Sequence, residues 1–411
     1  MRILHTADWH IGHSLNGWPR EAEHREWFAR LADLIEREGA DALIVAGDVF
    51  DGVNPSGESQ QLLYDALAEF RRRRPHLTTL ITSGNHDPAG RLAAPARVLG
   101  AIGVRVVAAI HRGPDGRIDP DRHVIPLRDA GGVLRAHAIG IPFLRAADLP
   151  GLSFAPAQGG GSPIVAAARR LHAEIWEAAR PVCEGLPVVA TGHLHCSGAA
   201  ENPDGHERRV LIGGEHALPP DVFPDGFDHV ALGHIHGQQT LCGGRIRYPG
   251  ACFAFSVSEA SHRHGVTITT VEGGVITPRH VPIEPPARLH RIPARGGIAL
   301  ADLPAALAAL RSNPDRPVGL RPFVQVVLLP DGPAVVQAAR AEEVLARFPV
   351  RPAGVRVLRA DAAAADLADD PAMTLDDLTP EDLFRTAFLR ANGVPPGERH
   401  LAAFRDAASE V

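Results

Sequence analysis

The chain of 411 residues contains no lysine, and all 42 basic residues are arginine. With its abundant alanine, this reads as coding bias, and no function rests on it. Cysteine is scarce too. The four, Cys183, Cys196, Cys242 and Cys252, form no C-x-x-C pair. That excludes a structural zinc knot and suits a reducing cytosol. No segment approaches the roughly 18 apolar residues that a membrane-spanning helix needs. The N-terminus opens at once on a strand-like run, Arg2 to Ala7, without a signal-peptide core. Nor is there an excess of positive charge: 48 acidic residues leave a net charge of −6. Any nucleic-acid surface must therefore be a local arginine patch. The expectation is a soluble, cytoplasmic protein, not a membrane protein. Its 45% hydrophobic content supports a sizeable core, and its length two or three domains.

What is present is a βαβαβ rhythm. Arg2–Ala7, Ala42–Ala46, Leu77–Thr82 and Val104–Ala108 read as strands. Arg20–Arg37, Gly57–Arg74 and Pro88–Leu99 read as helices between them. Short strands follow between Ile118 and Pro142, then a Gly159–Gly161 loop and a helix over Ile164–Ala179. Further strands are expected at Pro187–Thr191, Asp228–Leu232, Arg245–Tyr248, Gly265–Val271 and Val275–Val281. The fold class is α/β, with two packed mixed sheets flanked by helices. A boundary falls at Glu284-Pro285-Pro286. Beyond it lies a small βαβαβ unit with strands at Ala287–Pro293, Pro322–Leu329 and Gly354–Arg359 and helices at Ala299–Ser312 and Val335–Phe348. A polar linker, Asp361–Pro371, leads to two short helices, Pro380–Ala391 and Gly397–Ser409, too small to fold alone.

Five short motifs each follow an apolar strand: Asp8-Trp9-His10, Gly47-Asp48-Val49-Phe50-Asp51, Gly84-Asn85-His86-Asp87, Gly192-His193 and Gly233-His234-Ile235-His236. In open α/β sheets, ligands bind beyond the carboxyl ends of strands. Asp, His and Asn offer O and N donors to divalent manganese, iron or zinc. Asp8 and His10, like His234 and His236, are separated by one residue and would point the same way from an extended segment. The donor count fits two ions. Asp8, His10, Asp48 and His236 would hold the first, and Asp48, Asn85, His193 and His234 the second. A shared Asp48 would set the ions ~3.5–4 Å apart, the spacing for two-metal phosphoryl displacement. His86 is left over beside Asn85 and can orient the phosphate and protonate the leaving oxygen. Asp87 or Asp51 would fix its tautomer.

In this order the five motifs resemble the pattern of calcineurin-like metallophosphoesterases. The flanks Ile3–Gly12, Arg20–His24 and Val45–Asp51 narrow the resemblance to SbcD-type nuclease subunits of bacterial SbcCD complexes, over roughly residues 1–255. The resemblance implies an αββα sandwich over residues 1–283, a capping domain for DNA specificity over 284–360, and helices over 361–411 that dock an SbcC-type coiled-coil ATPase. It also implies manganese-dependent hydrolysis of DNA phosphodiesters in repair, recombination and replication, by a homodimer, as double-strand exonuclease and single-strand endonuclease. The helices Arg20–Arg37 and Gly57–Arg74 are the expected dimer surface.

Other readings stand beside these. A metallophosphoesterase acting on small nucleotides or phosphomonoesters would keep the site and discard DNA. A DNA-end tether would have lost catalysis, against the complete ligand set. His195 is the alternative to His193 as a ligand. His5 reads as a core histidine, His24 as a solvated or DNA- or dimer-facing one, and His262 and His264 as surface residues. Trp9 reads as packed, the alternative being a base-stacking surface. The run Arg71–Arg74 reads as complementing a helix dipole, the alternative being a DNA grip. Arg20 and Arg145 are candidates for phosphate contact.

Overall fold

The computed structural model describes residues 1–151, 162–183, 185–200 and 217–358, together with 388, 396–397 and 400–401. The Gly159–Gly161 loop, the 361–371 linker and most of the two C-terminal helices lie outside the described residues.

Two six-stranded sheets stack face to face. In the first, the parallel strands Arg2–Thr6, Ala42–Ala46, Thr78–Thr82 and Val104–Val107 are extended by the antiparallel pair Gly265–Glu272 and Val275–Pro282. In the second, Leu134–Ile139, Val188–His193, His229–Gly233 and Ile246–Tyr248 run parallel, edged by Val124–Arg128 and Gln239–Leu241. Strand alternation sorts the core into layers. Ile3, Ala42 and Ile44 face Ala136, Ala138, Val189 and Ala231 between the sheets. Leu4, Leu43 and Val45 face outward to Trp27, Leu31, Leu63 and Phe70 of the helices Glu21–Arg37 and Gly57–Arg73. The helix Pro163–Cys183 covers the second sheet through Leu171 and Ile175. Both faces of the central strands are thus buried, which is why they read as continuous apolar runs.

Three helices depart from the sequence reading. The Pro88–Leu99 segment is two short helices, Ala89–Ala93 and Ala96–Gly100. They part at Pro95, which has no amide to bond the preceding turn. The helix begun at Pro163 runs past Ala179 and through Pro181 to Cys183, because Ala179 and Cys183 bury on one face. Residues 299–312 hold only a short turn and the helix Leu303–Ala309, and Arg311 beyond its end is left-handed (φ 51°).

After Pro286 comes a three-stranded parallel sheet, Leu289–Ile292, Phe323–Leu328 and Arg351–Val357, with its own core of Leu303, Leu307, Val324, Val326 and Leu345. It meets the main body where Leu289, Phe323 and Ala353 pack on Ala254, with Leu15 and Trp18 alongside. Among the described residues, no helix is long and apolar enough to cross a membrane.

Candidate metal centre

All five motifs come off the carboxyl ends of strands, at one end of the sandwich. The main chain stays paired as it leaves the first two strands: the Asp8 amide donates to the Gly47 carbonyl (3.0 Å) and the His10 amide to the Asp48 carbonyl (3.0 Å). Two adjacent ligand loops are thereby held as rigidly as sheet. Asp8 and His10 converge for a reason other than extended alternation, however. Asp8, His10, Asp48 and His234 all have positive φ, at 52°, 44°, 49° and 96°. This conformation is costly for residues with a side chain, and it persists where surrounding contacts over-determine it, commonly at functional sites. Glycine makes the approach possible. A Cβ on Gly84 would lie 2.1 Å from Asp48 Oδ1, and one on Gly47 would lie 2.3 Å from His193 Nδ1.

Asp48 sits at the centre. Its Oδ2 lies 3.2 Å from His193 Nε2 and 3.7 Å from His10 Nε2, and its Oδ1 accepts the His86 amide at 2.8 Å. Asn85 Oδ1 lies 3.1 Å from both His193 Nε2 and His234 Nδ1. Asp8 accepts the His234 amide at 3.0 Å. The donors of Asp8, His10 and His236 lie within 4.8 Å of one another, as do those of Asp8, Asp48 and His193. The seven residues expected as ligands are therefore brought together, nearly all fully buried. A cluster of carboxylate, amide and imidazole donors around one central carboxylate fits divalent cations.

Neighbouring groups aim the imidazoles. The Asp51 carboxylate lies 3.2 Å from His10 Nδ1, leaving Nε2 towards Asp48. His193 Nδ1 donates to the Ala46 carbonyl (2.9 Å). His236 Nδ1 faces the buried Glu259 carboxylate at 3.3 Å. Such partners set the tautomer and raise ligand basicity. Glu259 was missed in the sequence, where nothing marks a glutamate 23 positions from the histidine it aims.

His86 stacks edge-on against His10 at 4.7 Å. Its ring is held through Nδ1 by the main-chain carbonyl of Asp51 (2.9 Å), so neither candidate carboxylate fixes its tautomer. The Asp51 carboxylate serves His10. Asp87 accepts the amides of Val49 (3.2 Å), Phe50 (2.9 Å) and Gly84 (2.7 Å), and staples the Asp48 loop to the Asn85 loop. His195 places its Nε2 on the Ala199 carbonyl (3.2 Å), while His193 lies against Asp48.

Several further expectations are corrected. His24 is buried, with Nε2 on the Trp9 carbonyl at 2.7 Å, and so fastens the residue between Asp8 and His10. Arg20 is buried and committed to protein partners, so it does not reach a phosphate. His264 is interior, with Nδ1 on the Ala251 carbonyl (3.1 Å). Trp9, by contrast, is packed as expected, fully buried against Trp27 and Phe28 with no stacking surface. Arg71 and Arg74 cap carbonyls, while Arg72 and Arg73 pair with Glu69, and Arg73 also with Asp33. The run ties its helix to the helix Glu21–Arg37 and to the main chain at Gly39, Ala40 and Leu77.

Two members of the cluster, Asp8 and His193, hold protons more tightly than usual. Burial pushes the Asp8 carboxyl up to about 7. Burial opposes charge on His193, but Asp48 and Asp8 outweigh it and hold that imidazole at about 9. Burial also opposes ionised Asp48, yet His193 and His10 keep it well below the usual carboxylate range. Ligation of a cation requires Asp8 and His193 to shed their protons. In chelator-stripped protein, Mn2+ affinity should therefore climb from pH 6 to pH 8, with proton release. Calorimetric titration in buffers of unlike ionisation enthalpy measures both, and an affinity flat over that range would contradict the expectation.

Residues 1–238 match the model of the calcineurin-like phosphoesterase family, and residues 285–392 match the type 5 capsule protein repressor C-terminal domain. The SbcD subunit of the SbcCD nuclease from Rhodobacter capsulatus is 50% identical over 94% of this chain and 94% of its own. Its counterpart from Escherichia coli K12 is 32% identical over 67% of this chain and 66% of its own. That of Bacillus subtilis 168 is 30% identical over 67% of each. With the donor cluster in place and likeness of this extent, the chain belongs to the calcineurin-like phosphoesterases, in the family of SbcD nuclease subunits.

Proposed function

We propose that the chain is a metal-dependent nuclease that hydrolyses DNA phosphodiester bonds with two divalent cations, Mn2+ by preference. It would act in the cytoplasm as a homodimer with an SbcC-type coiled-coil ATPase, in DNA repair and recombination. The single observation that supports it most is the convergence of Asp8, His10, Asp48, Asn85, His193, His234 and His236 in a chain 50% identical to a nuclease subunit. Asp8, His10, Asp48 and His236 would hold one cation, and Asp48, Asn85, His193 and His234 the other. Bound there, the cations would neutralise phosphoryl oxygens and acidify water.

The remaining chemistry belongs to the chain. Asp51 and Glu259 aim His10 and His236 and strengthen them as donors. Asp87 keeps the Asp48 and Asn85 loops in register. With Nδ1–H held by the Asp51 carbonyl, His86 can present a proton on its other ring nitrogen to a leaving oxygen. General acid catalysis of this kind contributes on the order of 10²–10⁴-fold. His86→Ala should therefore keep its cations but lose about 10²-fold or more in Mn2+-dependent digestion of linear duplex DNA. Full activity in that variant would remove His86 from the chemistry. Turnover of a small phosphodiester without DNA cleavage, with or without the ATPase, would overturn the nuclease reading.

A further inference from the structure

The seam between the three-stranded module and the main body contains three fully buried charges. Arg20, which precedes the helix Glu21–Arg37, grips Glu23 with two hydrogen bonds, Nε to Oε1 at 3.0 Å and Nη2 to Oε2 at 2.6 Å. Arg351, on the last strand of the module, brings Nη1 to 2.9 Å from Glu23 Oε1. None of the three is more than 1% exposed. Phe323 of the module's central strand lies between the two guanidinium groups, its centroid 3.7 Å from Arg351 and 5.2 Å from Arg20. Burying such a network brings little net stability compared with apolar packing of the same volume, although removing one partner is costly. Such networks can instead favour one arrangement of the parts they join.

The network continues into the cation cluster. The remaining Arg20 nitrogen, Nη1, donates to the Ala254 carbonyl at 2.6 Å, and Ala254 itself packs on Phe323 and Ala353 of the module. The next residue, Phe255, gives its amide to Glu259 Oε2 at 2.8 Å. The other Glu259 oxygen faces His236 Nδ1. The Phe255 ring lies edge-on to His10 at 4.9 Å and to His236 at 5.4 Å. Every link from Arg351 through Glu23, Arg20, Ala254, Phe255 and Glu259 to the two imidazoles is a buried contact.

We propose that Arg351, Glu23 and Arg20 are positioning residues that couple the seating of the module to the placement of His10 and His236. The proposal rests on the reading of those histidines as cation ligands. Coupling between two sites is reciprocal, so a cation bound at one end must tighten the module at the other. With a purely structural ion network, that tightening would not depend on Arg351.

The experiment is hydrogen–deuterium exchange on the full-length protein, stripped of metal and then saturated with Mn2+, alongside calorimetric Mn2+ titration. Mn2+ should slow exchange in Phe323–Leu328 and Arg351–Val357 severalfold in the wild type. Arg351→Met should abolish that protection and weaken Mn2+ binding about tenfold, the lower end for loss of a partner that supports a ligand. Arg351→Lys should restore part of both, and the exposed Arg340→Met should match wild type. If Arg351→Met fails to fold, Arg351→Lys and the wild-type exchange experiment still decide. Bound Mn2+ with unchanged exchange in both strands would overturn the coupling and leave the metal centre intact. Failure of wild type to bind Mn2+ would overturn both.

Discussion

Asp48→Asn should lower nuclease turnover by on the order of 10³-fold, equivalent to about 4 kcal/mol of transition-state stabilisation, and leave fewer than two tightly held cations per chain. The substitution keeps the size and the acceptor for the His86 amide, so the loop can retain its form. What it removes is the negative charge that stands within 3.7 Å of both His10 and His193. Two other buried carboxylates of the cluster are already committed: Asp8 is itself among the expected ligands and holds the His234 amide, and Asp87 is occupied by three main-chain amides. Asp51→Asn is the informative contrast. The Asp51 carboxylate orients His10 from outside the expected ligand set, so the loss expected there is about 10–100-fold with both cations kept. Elemental analysis of dialysed protein, together with turnover rates, separates the two. Asp48→Asn still carrying two cations would refute the bridging role.

The second large effect is on stability in acid. His5, His172, His229 and His264 are buried, and burial lowers their imidazoles to about 3 for His5 and about 4 for the other three. In the unfolded chain each titrates near 6.5. Below that pH the unfolded chain binds protons that the folded chain refuses, so stability falls as pH falls. At pH 5 the loss is about 2 kcal/mol per histidine, roughly 7 kcal/mol for the four relative to pH 7. Three groups oppose this: Asp8 and Asp87, pushed up by burial to about 7 and about 6, and His193, held at about 9 by Asp48 and Asp8, bind protons more tightly in the folded chain, and together return about 4 kcal/mol over the same range. Those four histidines win by a few kcal/mol, a large fraction of a typical folding free energy of about 5–15 kcal/mol. Denaturant unfolding in the presence of a chelator at pH 7, 6 and 5 should show the midpoint falling steadily. A midpoint level or rising towards pH 5 would contradict this balance. At His5 the lowering comes from burial first and from repulsion by His229 second.

The convergence of the donor side chains was legible in sequence because each is local to a strand end. A short apolar run, a glycine and then a carboxylate, amide or histidine is a local signature, and five of them in order imply convergence wherever the strands share a sheet end. The same holds for the outer helices, whose apolar faces repeat at helical spacing. Resemblance in the flanks added the nuclease family.

What aims the ligands was not legible. Asp51 and Asp87 both stand within ligand motifs, yet one carboxylate turns to His10 and the other to three amides. Side-chain direction there follows from left-handed turns at Asp8, His10 and Asp48 that no spacing rule contains. His24, Arg20 and Glu259 carry polar side chains that in sequence resemble surface residues. They are buried because each finds its partner in another segment: the Trp9 carbonyl, the Ala254 carbonyl and His236. Sequence alone determined which residues can donate to a cation and at which strand ends they stand. Tertiary structure decided which neighbour orients each of them, since a buried polar group must be paired and its partner is chosen by the packing of distant segments.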